Sequence, residues 1–260
     1  MEELPKAELR RLRSLRNEKG RQEYRLFLAE GYRLVDAALD ASAPVLRVLM
    51  TEAFSASPEG RALGRKAEAK AIATAVVSEN TFAQIATTTH TQGVLAVVRT
   101  PGWPDQAPWK SGLMVALSNV RDPGNVGTIW RAAAWFGADR IILGKGCVDP
   151  HNPKVVRATM GGLFYVPCEP VEDLANWLAA ARAAGYKVFA ADVQGETDHW
   201  PAEAPEVVLV AGGETEGLSP QIRRVVETTI RIPRWGAGDS LNVAMAVSIL
   251  LDRWRQARPA

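Results

Sequence analysis

The sequence predicts an α/β protein of two domains, and three observations carry that prediction. Continuous apolar runs such as LMVALS (113–118) and VVLVAG (207–212) alternate with stretches of helical periodicity. That is the pattern of a parallel sheet covered on both faces. The alternation stops once, at TPGWPDQAPWKSG (100–112), which holds three prolines, two glycines and no periodicity. The chain of 260 residues is long enough for one large domain or two small ones. The expected division is therefore 1–100, a linker at 101–112, and 113–260.

Element by element, residues 6–19 read as a helix, with Leu9, Leu12 and Leu15 at spacing three. A helix follows at 31–41 and a strand at 45–50. Then come a charged helix at 59–71, a strand at 74–78, a short helix at 79–86 and a strand at 93–99. Beyond the linker the pattern restarts with a strand at 113–118, a turn-rich NVRDPGN and a helix at 126–136. Strand 140–144, helix 153–160, strand 164–168 and helix 171–184 follow. Strands at 187–191, 207–212 and 229–233 precede a final helix at 240–256.

Apolar residues make up 47% and charged residues 23%, which excludes a disordered, collagen-like or low-complexity chain. The net charge of +2 excludes a globally basic nucleic-acid coat but allows a local patch. One such patch is present. Arg10, Arg11, Arg13, Arg16, Lys19, Arg21 and Arg25 face only Glu18 and Glu23 between positions 9 and 25, a local excess of five positive charges. It is either a solvated helix face or a phosphate-binding edge. Cys147 and Cys168 stand far apart without CxxC spacing, and His90, His151 and His199 lack ligand spacing, so no structural metal site is expected. The first residues hold no apolar core of signal-peptide length, and no run reaches 18 apolar residues. A reduced, cytoplasmic protein is the expectation.

The usual nucleotide signatures are absent. NVRDPGN follows the first strand of the second domain where a dinucleotide site would carry G-x-G-x-x-G. There is no P-loop, no G-x-S-x-G and no H-E-x-x-H. Three other segments fall at the C-terminal ends of predicted strands, the edge where parallel sheets bind ligands. They are NVRDPGNVGTIWR (119–131), VAGGETEGLSP (210–220) and IPRWGAGDSLNVAMA (232–246). Asn119 and Asp122 read first as turn formers, Asn125 and Ser240 as N-cap residues, and the glycines at 212 and 213 as points of close backbone approach to a ligand. Asn242, in the first turn of an apolar helix, has less structural excuse.

Together the three segments, in this order and spacing, resemble the motifs of the SpoU/TrmH family of RNA ribose 2′-O-methyltransferases, within the SPOUT superfamily. The similarity spans about residues 113–256. The first domain, through Phe27-x-Ala29-Glu30-Gly31 and its basic lead-in, resembles the family's small α/β substrate-binding domain. The resemblance implies a C-terminal domain tied in a deep trefoil knot around a parallel sheet, S-adenosylmethionine bound in the knot, a homodimer, and an rRNA or tRNA substrate. It implies reaction-centre roles for Arg131, Asn125, Glu214, Ser240 and Asn242. It also implies a cofactor grip through Gly212, Gly213, Gly217, Ile232, Gly236 and Leu241, with the backbone doing most of the work.

Methyl transfer from a sulfonium needs no metal. It needs an oxygen held in line with the methyl and an outlet for one proton. A guanidinium with a pKa above ~12 is a poor proton acceptor, so Arg131 suits a phosphate- or oxyanion-positioning role better than that of a base. Three positions depart from the family pattern. Gly213 stands where many relatives carry a larger polar residue. Arg234 and Trp235 replace smaller or apolar ones, and read either as a cation and stacking ring near RNA or as a packed pair at the dimer seam. Trp103, Trp109, Trp130 and Trp135 read as buried packing. The resulting expectation is methylation of a ribose 2′-hydroxyl in structured RNA, with rRNA favoured over tRNA. The alternatives are a non-catalytic RNA-binding module and an enzyme that methylates a base.

Overall fold

The computed structural model describes residues 2–102, 112–200, 206–213 and 217–257. Its elements run, in order, α1 (Lys6–Ser14), α2 (Glu18–Tyr24), β1 (Leu26–Glu30), α3 (Tyr32–Asp40), β2 (Val45–Thr51), α4 (Glu52–Ser55), α5 (Pro58–Ala69), β3 (Ala73–Val77), α6 (Glu79–Ile85) and β4 (Val94–Arg99). They continue with β5 (Leu113–Ser118), α7 (Pro123–Trp135), β6 (Arg140–Gly144), α8 (Pro153–Ala158), a 3-10 turn (Gly162–Phe164), β7 (Cys168–Val171), α9 (Leu174–Ala183), β8 (Lys187–Ala191), β9 (Val207–Gly212), α10 (Pro220–Val225), β10 (Thr228–Ile230) and α11 (Val243–Gln256). The chain forms two compact units, Met1–Gly102 with Asp149–Phe164, and Trp103–Val148 with Tyr165–Ala260.

The first unit has a four-stranded sheet in the order β1-β4-β2-β3. β4 runs antiparallel to both neighbours, and β2 and β3 are parallel. Two cores flank it. Leu34, Val35 and Leu39 of α3 pack on one with Val48, Met50 and Val98, and Phe82 and Ile85 of α6 pack on the other with Leu12 and Leu15. The single helix expected over 6–19 breaks into α1 and α2. The second presses so closely on the end of the first that a Cβ on Gly20 would lie 2.3 Å from the Ser14 carbonyl oxygen. The sequence division placed all of 113–260 in the second domain, and there the structure differs. Asp149–Phe164 packs with the first unit, because Val156 fills its core and Leu163 and Phe164 lie against it.

The second unit is built on six strands, all parallel, in the order β10-β8-β9-β5-β6-β7. β5 and β9 are apolar along their length because helices cover both faces. Leu174 and Leu178 of α9 and Ile222 of α10 lie on Met114, Ile142, Val188 and Val208 on one side. The strand expected at 164–168 begins only at Cys168, since Phe164 sits in the 3-10 turn and Tyr165 is exposed. Neighbouring β9 and β5 bring two of the three motif loops to one edge, and β8 and β10 end beside them.

Candidate active site

The turn after β5 is built by its own residues. Asn119 adopts a left-handed backbone, with φ of 55°. Asp122 caps α7, its side chain accepting from the Asn125 amide at 2.8 Å, and Pro123 opens the helix. Asp122, not Asn125, is therefore the cap. α7 also begins three residues earlier than expected, so Asn125 lies in its first turn. β9 meets this turn closely. The Gly213 amide donates to the Ser118 carbonyl at 2.8 Å, and a Cβ on Gly213 would sit 2.3 Å from the Asn119 oxygen. A Cβ on Gly212 would sit 2.7 Å from the Gly217 carbonyl carbon. Only glycine fits at either place.

The loop after β10 closes the arrangement. Asn242, not Ser240, is the N-cap of α11, its side-chain oxygen accepting from the Ala244 amide at 2.9 Å. Its amide nitrogen donates to Asn125 Oδ1 at 2.9 Å. One side chain thus caps the last helix and joins the first motif to the third across 117 residues of sequence.

Beside this junction, at the C-terminal ends of β8, β9 and β10, lies a cavity of about 490 Å³. That volume is within the range of small-ligand sites. Gly212, Gly213, Gly217, Ile232, Gly236 and Leu241 all line it, as does Ser240. A Cβ at Gly236 would meet nothing within 4 Å, so the wall there is open backbone. Arg131 projects from the exposed side of α7 and is not part of the lining. Glu214 lies outside the described residues, as do Trp103 and Trp109.

Several features escaped sequence reasoning. Asp192, at the end of β8, and Arg223, on α10, both line the cavity and form an ion pair at 3.1 Å. Arg223 Nε also donates to the Leu218 carbonyl at 3.2 Å, so one guanidinium ties the walls contributed by β8 and by the loop after β9. The available signal was an acidic residue closing the apolar strand KVFAA, but its partner is 31 residues away. Near the first motif, burial pushes the Cys147 thiol pKa up, and its Sγ donates to the Leu117 carbonyl at 3.3 Å. It is a neutral packing group there.

Two expectations need correction. Arg21 is 5% exposed; its Nε donates to Asp149 at 2.8 Å and its Nη1 to the Leu15 carbonyl at 2.9 Å. It is a structural cation of the first unit and leaves the basic patch. Arg10, Arg11, Arg13, Arg16, Lys19 and Arg25 remain exposed. Trp130 is buried and donates to the Val166 carbonyl, as expected, but Trp135 is 84% exposed. It sits on the outer stripe of α7, one turn beyond Arg131.

Residues 112–252 match the SpoU rRNA methylase family. The chain belongs to that family. Residues 6–96 match the MRM3-like substrate-binding domain. Among relatives of this SpoU protein, the 23S rRNA (guanosine(2553)-2′-O)-methyltransferase RlmP of Bacillus subtilis is 28% identical, with 94% of each chain covered. A TrmH-family RNA methyltransferase structure from Porphyromonas gingivalis is 33% identical, covering 99% of this chain and 100% of that one, with a TM-score of 0.84. An rRNA methyltransferase structure from Sinorhizobium meliloti, bound to S-adenosylmethionine, is 32% identical, covering 100% and 98%, also with a TM-score of 0.84. Among the described residues, no helix of the SpoU chain is long and apolar enough to cross a membrane.

Proposed function

We infer that this SpoU protein methylates a ribose 2′-hydroxyl of RNA, ribosomal RNA before transfer RNA, with S-adenosylmethionine as donor, in the cytoplasm. The observation that carries the reading is the Asn125–Asn242 contact, which joins two motif loops beside a cavity walled by the six expected cofactor positions. The donor fits that cavity. Its volume, its open wall at Gly236 and its rim of backbone groups suit an adenosine of modest charge. The named substrate of the Bacillus relative and the bound donor in the Sinorhizobium structure support the same chemistry.

Bound S-adenosylmethionine supplies a methyl carbon attached to a cationic sulfur. The chain would hold an oxygen in line with that carbon, so that the carbon–oxygen bond would form as the carbon–sulfur bond breaks to a neutral thioether and the hydroxyl proton passes to water. Asn242 and Asn125 lock each other's amides and fix the edge over which the ribose sits. Ser240, on the cavity wall, has the role of bonding the same ribose in this reading, and Glu214 that of holding the arginine. Arg131 stabilises the developing oxyanion or the adjoining phosphate rather than taking the proton. Arg131 is exposed on α7 and apart from the cavity lining, where a twofold-related copy could reach it; a homodimer and a site shared between its subunits are one proposal. The knotted path of the last segment belongs to the same reading. The exposed cations of α1 and α2 contact the RNA backbone.

Isothermal titration with S-adenosylmethionine, followed by tritiated-methyl transfer to rRNA transcripts, tests this reading. Micromolar binding and saturable transfer are expected. Binding absent at millimolar donor overturns it in favour of a non-catalytic RNA-binding module.

A further inference from the structure

Trp235 is 95% exposed, more than any other large hydrophobic residue among the described ones, and yet it lines the cavity. A side chain that does both stands on the lip. Its loop has an internal tie, because Arg234 Nη1 donates across the turn to the Gly238 carbonyl at 2.7 Å. Arg231, just before the loop, is fastened through Nη1 to the Gly195 carbonyl at 2.9 Å. Arg234 thereby keeps its charge on the cavity wall that carries the indole, whereas Arg231 is not part of that wall and acts on Asp198. Asp239 is the one carboxylate on the same loop.

An indole held in water by a tied turn costs apolar exposure without stabilising the fold. Its surroundings say what covers it. The ring adjoins the cavity where the reacting ribose must arrive, and the Arg234 cation stands next to it, a combination suited to a polyanion carrying flat rings. We propose that Trp235 is the stacking platform for the base of the methylated nucleotide, or of its immediate neighbour, with Arg234 facing the flanking phosphodiester. The residue then helps select unpaired RNA, since a base must leave its helix to lie on the indole.

This inference rests on the methyltransferase reading, and the test separates the two. Wild type, Trp235→Ala and Trp235→Phe are compared in tritiated-methyl transfer to an unmodified 23S rRNA transcript. Donor affinity is measured by calorimetry and molecular mass by ultracentrifugation. Trp235→Ala should raise the KM for RNA roughly tenfold, with donor affinity and mass unchanged. Trp235→Phe, which keeps a ring, should restore most of the loss. An unchanged KM in Trp235→Ala overturns the inference. So does a matching fall in donor affinity, which makes the ring a cofactor wall, or a change in mass, which makes it a subunit contact. A wild-type protein that neither binds donor nor methylates 23S, 16S or tRNA transcripts defeats the methyltransferase reading and this inference with it. An active wild type with an indifferent Trp235→Ala defeats this inference alone.

Discussion

Asn242 performs two tasks with two atoms, and a substitution can separate them. Its oxygen caps α11, and its nitrogen bonds Asn125. Asn242→Asp keeps a good cap but loses the donor, so the melting temperature should hold while methyl transfer falls about a hundredfold. Asn242→Ala should lose the transfer and about 1 kcal/mol of stability as well, which thermal denaturation would record. Arg131→Ala should abolish transfer while donor affinity, read by calorimetry, changes little, because Arg131 is not in the cavity lining. Wild-type turnover in that variant removes Arg131 from the chemistry. At this scale the sequence located the three motif loops at one sheet edge. Asn242 looked out of place in an apolar helix, but the glycines at 212 and 213, read as points of approach to a ligand, meet the chain's own backbone at Gly217 and Asn119. The roles of the caps were not legible, since Asp122 and Asn125, like Ser240 and Asn242, are all good caps near one helix start. Nor was the burial of Arg21, whose partner Asp149 is 128 residues away.

Elements inherit their reliability from where their partners lie. The parallel strands β5, β6, β8 and β9 were read within one residue, because strands buried on both faces are apolar throughout. β1 was seen only as a motif. Its last residue, Glu30, is a buried carboxylate, accepting from the amide and hydroxyl of Thr87 at 2.7 Å each and from the Thr88 hydroxyl. Short α10 carries too few turns for periodicity to show. The meeting of β5 and β9 makes one prediction: Gly213→Ala drives a Cβ into the Asn119 carbonyl, so donor affinity should fall about tenfold and the melting temperature should drop. The α8 segment makes another. His151, buried with its ring 4.6 Å from that of Phe27, has its pKa pushed down to about 4 by burial, aided by Arg21 and opposed by Asp149. Unfolded, the same group takes its proton near 6.5. The stability that comes from keeping His151 neutral is therefore complete above pH 6.5 and lost as pH falls toward 4, by up to about 1.4 kcal/mol per pH unit. Thermal melts of wild type and His151→Gln across pH 7.5 to 5 check this. The wild type should lose more stability than the variant over that window.

Across the whole molecule, a nearly neutral chain must recruit a polyanion through local charge. Replacing Arg10, Arg11, Arg13 and Arg16 by glutamine should make the dependence of log RNA affinity on log salt shallower, by up to about 3 if each meets a phosphate of single-stranded RNA. An unchanged slope moves the RNA edge elsewhere. The shared site makes a second demand on the assembly. Arg131→Ala and Asn242→Asp chains, the first inactive and the second about a hundredfold slower alone, should recover activity well above either when refolded together, because a mixed dimer then holds one complete site; no recovery places Arg131 in its own chain's site. Sequence alone reached the fold class because sheet and motif spacing are local signals. It could not place Asp149–Phe164 with the first unit, since that depends on a hydrophobic core built from the other end of the chain. The central claim is that the acceptor is a sugar oxygen. Alkaline hydrolysis of RNA methylated by the purified protein, followed by mass spectrometry of the resistant fragments, reads that directly. The account predicts one backbone bond that survives alkali, carrying the added methyl on its ribose; a methyl found on a base, with every bond cleaved, contradicts it.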